Sequence, residues 1–90
     1  MATKRLFSLA EAKQIGDALG IDWHAIAVDQ FQNGLEVELE YGSDDAQTNV
    51  TNDDALITGK IALAHLKEFS DYYVRLSAME KDDDAYWAEV

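Results

Sequence analysis

Three regularly spaced glutamates are the first residues of this sequence that could do acid–base chemistry. Glu36, Glu38 and Glu40 alternate with apolar residues in the segment NGLEVELEYG, at positions 33–42. Paired carboxylates act as acid and base when burial raises the pKa of one of them. In a helix Glu36 and Glu40 would share a face and Glu38 would point elsewhere, whereas a strand would place all three on one face. Solvated helix faces carry such residues routinely, so the alternation alone predicts no catalytic pair.

His65 is the side chain that could add a base or a metal ligand to these carboxylates. It lies in the segment IALAHLKEF, close to an apolar stripe. A histidine in such a place is more often a hydrogen-bonded core or boundary residue than a metal ligand or an acid–base group. Its expected partner is the Glu38 carboxylate or the Tyr41 hydroxyl. The second histidine, His24, is predicted to be exposed and without a special role.

Acidic and amide side chains recur between Asp44 and Asp54 at spacings that resemble a calcium-binding loop. Val50 stands where an EF-hand loop needs a glycine, and Leu56 stands where it needs a bidentate glutamate. Turn formation and helix capping by Asp and Asn explain the segment more simply. The sequence therefore predicts no calcium site, and no pattern in it predicts a cofactor.

The charge of the chain restricts its partners. Eighteen acidic residues against seven basic ones give a net charge of −11, and no Lys or Arg lies between Lys13 and Lys60. Direct binding to nucleic acid or to an anionic membrane depends on Lys and Arg, so neither is expected. A protein partner with a basic surface fits the charge, although an acidic surface that only keeps the protein in solution fits it as well. The residues predicted to contact such a partner are Glu36, Glu40, Asp44, Asp45, Asp53 and Asp54.

Size and composition predict one acidic helical domain over residues 1–90. Ninety residues, of which 48% are hydrophobic, suffice for a single core. Residues 1–6 and 82–90 are expected to be frayed tails. No segment has the ~20 apolar residues that span a bilayer, and the first residues lack the apolar run of a signal peptide. We therefore expect a cytoplasmic protein.

The first half of the chain carries signals for one clear helix. In SLAEAKQIGDALG, Ser8 and Glu11 have the spacing of a capping box, and Gly20 is a natural stop. Asp22 is placed to cap a short helical turn, and Asp29 to cap the element that follows.

The second half predicts two further helices in a fold of about four. Thr51 and Asp54 resemble an acidic capping box before a helix over residues 53–69, which we expect to be the central one. Ser70 is placed to cap the last helix. The wide apolar face of the central helix is predicted to consist of Leu56, Gly59, Leu63 and Leu66, flanked by Ile57, Ile61 and Ala64.

Residues 24–41 fit two structures. As a hairpin, AIAVDQFQ would pair with LEVELEY across a favoured two-residue turn at Asn33 and Gly34. As a helix, the same segment places Phe31, Leu35 and Leu39 at intervals of four residues along one face. A lone hairpin in a helical protein would expose two strand edges, but periodicity alone leaves both structures open.

Four segments, in the order GLEVELEYG, TNVTNDD, TGKIALAHLKEF and DYYVRLSAME, resemble a small domain-of-unknown-function family found in phage and bacterial proteins. The resemblance covers residues 8–80. It implies an all-helical fold, in which residues 29–41 form a helix rather than a hairpin. It implies no particular activity, and it suggests a phage-associated protein located in the host cytoplasm or in the virion.

The same resemblance raises the question of a metal site. Relatives tend to carry His where this chain has Tyr41, and often Asp where it has Ala64. Glu38 and a His three residues later would form the Glu-x-x-His arrangement that binds metals in helical bundles, and His65 could add a ligand. Because Tyr41 and Ala64 stand at these positions, the resemblance implies a site that is lost or altered here.

We therefore predict a protein that acts without catalysis, by binding a basic protein partner. It would serve as an inhibitor that mimics nucleic acid or as an accessory protein of a virion. The alternative is a metal-binding or metal-dependent helical protein that uses Glu38 and His65. No group of residues favours an enzyme. The aromatic residues of the last segment are expected in the core, and Tyr73 or Trp87 would be an interface anchor only if exposed.

Overall fold

Four helices make up the fold in the computed structural model, which describes residues 6–44, 46–47, 49, 52 and 54–88, without the side chains of residues 41–44 and 82–88. The helices are α1 (Leu9–Ala18), α2 (Val28–Asp44), α3 (Ala55–Glu68) and α4 (Tyr72–Ala88). The predicted class, a single all-α domain of about four helices, is confirmed, and the described residues contain no strand. Within that part of the chain, no helix combines the length and apolarity needed to cross a bilayer.

The predicted frayed tails fall mostly at the limits of this description. Residues 1–5, 89 and 90 lie outside the described residues. The backbone of α4 continues as a helix through Ala88, over most of the segment 82–90. The fraying of both tails stays a prediction.

Helix α1 forms where its capping signals place it. The Ser8 hydroxyl accepts the Glu11 backbone N–H at 3.0 Å, and the Glu11 carboxylate accepts the Ser8 N–H at 3.1 Å. The chain leaves the helix through Gly20, whose φ of 75° is left-handed. The Ile21 N–H then donates to the Gly16 carbonyl at 3.0 Å, which completes a Schellman motif. Both predicted ends of α1 are confirmed.

Helix α2 settles the choice between hairpin and helix. Phe31, Leu35 and Leu39 are all buried on one side of it. Four-residue spacing is therefore the period that matters in this segment, and the alternation of glutamates with apolar residues is incidental to it.

Two capping predictions around α2 had different outcomes. The Asp22 carboxylate accepts the His24 N–H at 2.9 Å and starts the expected helical turn. Asp29 as the cap of α2 is wrong, because the helix begins one residue earlier and Phe31 already donates to the Ala27 carbonyl. The Asp29 carboxylate lies instead in the first turn, where it accepts the Gln30 N–H at 2.9 Å.

The starts of α3 and α4 also shift. Asp54 is the N-cap of α3 and accepts the Ile57 N–H at 3.0 Å, so the cap lies three residues after Thr51, which is outside the described residues. Helix α4 begins at Tyr72, directly after Asp71, so Ser70 is not adjacent to its first residue. Several side chains near each start can accept a backbone N–H, and packing selects among them.

The predicted apolar face of α3 is wrong in its first turn. Leu56 and Ile57 are 47% and 43% exposed. The buried residues of α3 are Thr58, Gly59, Ala62 and Leu66. Gly59 and Leu66 of the predicted face are therefore confirmed, and the small residue Ala62 and the polar residue Thr58 complete the buried side. Small residues let neighbouring helices approach closely. Hydrophobicity alone predicts burial of the larger Leu56 and Ile57 side chains, which the structure leaves exposed.

The core lies where α2 packs against α3, the most extensive contact between helices. Residues 31, 34 and 38 of α2 lie against residues 59, 62 and 65 of α3, in the same order along both helices. The Tyr73 ring of α4 lies over Gly34, at the middle of this contact. The core residues are Phe7, Ala12, Ile21, Ile26, Phe31, Leu35, Leu39, Ala62, Leu66 and Tyr73.

Replacing Gly34 with alanine tests this close approach. An added Cβ would lie 2.6 Å from the Tyr73 ring and 3.0 Å from the Ala62 Cβ, so the free energy of unfolding should fall by about 1–3 kcal/mol. Urea denaturation followed by circular dichroism measures the change. Glu40→Ala, at an exposed position of the same helix, should change it by less than about 0.5 kcal/mol. Stabilisation by Gly34→Ala, as expected from helix propensity alone, would contradict the packing described.

Candidate functional site

One carboxylate joins three helices. The Tyr73 hydroxyl of α4 donates to Glu38 Oε2 of α2 at 2.6 Å, and His65 Nδ1 of α3 lies 2.8 Å from the same oxygen. The Tyr73 hydroxyl oxygen is also 3.3 Å from His65 Nδ1. We call Glu38, His65 and Tyr73 the polar cluster. It is the place where the described residues bring the most titratable side chains into mutual contact.

The hydrogen-bond geometry assigns protons within the polar cluster. An ionised carboxylate only accepts hydrogen bonds, so in contact with ionised Glu38 the His65 Nδ1 atom is the donor. In neutral His65 the lone pair is then on Nε2. The Tyr72 ring stacks on the imidazole, with ring centres 4.3 Å apart and planes within 9°. Hydrogen bond and stacking together hold the imidazole in one orientation.

Burial differs between the three members. Tyr73 is 1% exposed, the Glu38 side chain 11% and the His65 side chain 32%. Burial raises the pKa of the Tyr73 phenol above its ordinary value, and the hydrogen bond to Glu38 raises it further, since ionisation would set two negative charges side by side. Tyr73 therefore remains a hydrogen-bond donor at neutral pH.

The sequence predicts the pair of Glu38 and His65 in the polar cluster, but it does not predict the third member, Tyr73. Glu38 as the partner of His65 is confirmed. The other expected partner, Tyr41, has a side chain outside the described residues. Tyr73 was assigned to the core or to an interface, and its burial excludes the exposed anchor. No spacing in the sequence relates Tyr73 to Glu38, which lies 35 residues earlier.

Glu36 has a structural role that the sequence did not reveal. Its Oε2 accepts the backbone N–H of Phe7 at 2.8 Å, and Gln32 Nε2 donates to the Phe7 carbonyl at 2.6 Å. Two side chains one turn apart on α2 thus hold the backbone just before α1 and help to bury the Phe7 ring. Glu36 is therefore a half-buried tether more than a free surface charge.

The other predicted contact residues are spread over different environments. Glu40 is exposed on α2, and Asp54 is exposed but caps α3. Asp44 is the last residue of α2, with a side chain outside the described part, and Asp45 and Asp53 lie outside it altogether. Among the predicted contact residues whose side chains are described, Glu40 is exposed and makes no structural hydrogen bond within the described part of the chain.

The described residues include no group of three or more His, Asp or Glu placed to hold a metal ion. Glu38 and His65 are the pair that the metal hypothesis named, and they are in contact. In the geometry observed, the Glu38 oxygen is shared by His65 and by Tyr73. The arrangement can stabilise a partly buried carboxylate through two hydrogen bonds, and in its neutral form His65 can present Nε2 as an acceptor.

Comparison with known proteins gives a family but no activity. Residues 12–82 match a family described as "Protein of unknown function (DUF5661)". No curated protein and no solved structure matches the chain.

Replacing Tyr73 with phenylalanine tests the polar cluster. Loss of the hydroxyl should lower the free energy of unfolding by about 1–2 kcal/mol at neutral pH, because Glu38 loses a donor. The raised pKa of Tyr73 stabilises the fold fully below the ordinary value of 10.0; above it the unfolded chain loses the proton and the folded one keeps it. The stability of the wild type should therefore fall from pH 9 to about pH 11, and its advantage over Tyr73→Phe should shrink.

Urea denaturation at several pH values measures both effects. Tyr72→Phe is the matched control, because the Tyr72 hydroxyl makes no hydrogen bond among the described residues. It should leave the stability at neutral pH within about 0.5 kcal/mol of the wild type. An advantage of the wild type over Tyr73→Phe that is the same at every pH would show that the phenol is not held neutral by the fold.

Proposed function

Since the chain belongs to DUF5661, a family of unknown function, we propose from its own surface that it acts without catalysis, by binding a protein with a basic surface. The observation that carries this proposal is an acidic side of α2 in a stretch of chain without any Lys or Arg from residue 14 to residue 59. The family description itself assigns neither partner nor activity.

The acidic stripe consists of Asp29, Glu36 and Glu40. Intervals of seven and four residues are close to whole helical turns, so the three lie along one side of α2. Asp29 and Glu40 are exposed, and Glu36 is half-buried between them. Glu40 is thus the best placed to meet a basic side chain of a partner, with Asp29 at the far end of the stripe.

The charge of the stripe acts mainly on association. Exposed carboxylates attract a basic partner over roughly one Debye length, about 8 Å at physiological salt, and raise the rate of encounter. A basic surface that binds nucleic acid would be covered by such a contact, which is how an acidic protein inhibits by mimicry. A phage-associated inhibitor in the host cytoplasm, or an accessory protein of a virion, would work in this way.

Reversing the charge of Glu40 tests the proposal. Capture from a lysate of the source cells identifies the partner, and surface plasmon resonance with the purified partner at several salt concentrations measures its affinity. Glu40→Lys should weaken binding by about tenfold at low salt and less at high salt. Glu68→Lys, an equal reversal at an exposed position of α3, should have a smaller effect.

Two outcomes would contradict the acidic stripe as the contact. One is an affinity that depends on neither salt nor Glu40. The other is an equal loss with Glu40→Lys and Glu68→Lys, which would assign the effect to net charge alone. Glu36 is unsuited to the test because its reversal would also release the Phe7 backbone.

A second candidate is a metal-binding protein, favoured by the contact between Glu38 Oε2 and His65 Nδ1 at 2.8 Å. A carboxylate and an imidazole this close could both ligate one Zn²⁺ or Mn²⁺ ion. Ligation through Nδ1 would require that His65 lose the hydrogen it shares with Glu38, so metal binding would compete with the polar cluster as observed.

Thermal unfolding with added metal separates the two candidates. A metal site predicts that Zn²⁺ or Mn²⁺ raises the melting temperature of the wild type and of His24→Asn, but not that of His65→Asn. His24 is the matched control because it is exposed and distant in sequence from the polar cluster. A melting temperature that is unchanged by metal, or raised equally in all three proteins, would remove this candidate.

A further inference from the structure

A groove opens between the loop after α1 and the C-terminal half of α3. Its volume is about 520 Å³, within the range of roughly 300–1,000 Å³ that small-molecule sites occupy. One wall is the segment from Leu19 to Ile26, and the other runs along α3 to Ser70. The apolar side chains that line it are Leu19, Ile21, Ile26, Leu63 and Leu66.

The apolar lining is continuous with the core. Ile21, Ile26 and Leu66 belong to the buried set, and Leu19 and Leu63 pack against that set. The groove is therefore a recess in the core surface whose floor cannot move far without disturbing the fold. A ligand that fills it would remove further apolar surface from water, which favours binding.

Two charged residues line the groove, and they differ in their interactions with the rest of the protein. Lys67, on the α3 wall near Ser70, makes no ion pair with any residue the structure describes. Asp22, on the opposite wall, already accepts the His24 N–H through its Oδ1. The Lys67 ammonium and the Ser70 hydroxyl thus offer donors at one end of the groove, whereas the Asp22 carboxylate is engaged in its own turn.

We propose that this groove binds a small molecule with an aliphatic chain and a carboxylate, the chain on the apolar floor and the carboxylate at Lys67 and Ser70. A charge-assisted hydrogen bond from an ammonium to a carboxylate is stronger than a neutral one. Asp22 repels an anion from the opposite wall, and so favours one orientation of the ligand. The proposal concerns a site apart from the acidic stripe and does not depend on it.

Calorimetric titration with three molecules of equal chain length tests the charge of the ligand. Decanoate and decylammonium below their micelle concentrations, and decanol below its solubility limit, are compared with the wild type and with Lys67→Gln. Decanoate should bind the wild type about tenfold more tightly than decanol does, and Lys67→Gln should abolish that preference. Lys60→Gln, at an exposed position of α3 outside the groove, should retain it.

Filling the groove tests its location. Ala25 is exposed and lines the groove, whereas Ala64 is exposed on α3 outside it. Ala25→Leu should weaken decanoate binding by at least about tenfold, and Ala64→Leu should not weaken it. Circular dichroism checks that both variants keep the helical content of the wild type.

Three results would overturn the proposal. The first is no binding of decanoate to the wild type. The second is equal or tighter binding of decanol or decylammonium, which would make the groove a general apolar recess or a site for cations. The third is equal weakening by Ala25→Leu and Ala64→Leu, which would place decanoate elsewhere on the surface. None of these results bears on the acidic stripe, because its test uses a protein partner and Glu40.

Discussion

The Glu38 carboxylate imposes the constraint on which the helical packing depends. A carboxylate that is 11% exposed is destabilising unless hydrogen-bond donors surround it. Its two donors come from different helices, His65 on α3 and Tyr73 on α4. The observed placement of the three helices satisfies it, and Gly34 permits that placement because the Tyr73 ring occupies the space that a Cβ would fill. Any other placement that separated Glu38 from both donors would leave a partly buried carboxylate without hydrogen-bond partners, which is costly.

Because of this constraint, the residues that hold the helices together differ from those proposed to bind other molecules. Within the polar cluster, Tyr73 and His65 both donate their hydrogen bonds to Glu38. The cluster therefore stabilises the contact between α2, α3 and α4, and it leaves His65 Nε2 for solvent. The surface features that could contact another molecule lie elsewhere. They are the exposed carboxylates of the acidic stripe and the groove with Lys67 at its end. A protein partner and a small carboxylate could therefore be bound without disturbing the packing of α2, α3 and α4.

Much of the fold and part of the candidate site could be predicted from the sequence. The capping box at Ser8 and the stop at Gly20 are local signals, and both operate as predicted. The pairing of Glu38 with His65 could be anticipated because a histidine beside an apolar stripe needs a polar partner. Tyr73 could not, because a phenol 35 residues from Glu38 is equally suited to a core without polar contacts. Leu56 shows the opposite case, because its hydrophobicity predicts burial and it is exposed in the structure.

The sequence by itself determined the ends of α1, the helical character of the second half of the chain and the overall negative charge, since these depend on hydrogen bonds between near neighbours and on composition. For residues 24–41 its periodicity left hairpin and helix open, and the helix there followed from the family resemblance and from the packing of α2. Only the tertiary structure decided the hydrogen-bond partners and the exposure of the three glutamates in the segment 33–42. Glu36 holds Phe7, Glu38 holds Tyr73 and His65, and Glu40 faces solvent. Helical geometry separates Glu38 from the other two, but their partners are set by which distant segments pack against each side of α2. That choice is made by burial and hydrogen bonding between helices, and no local pattern encodes it.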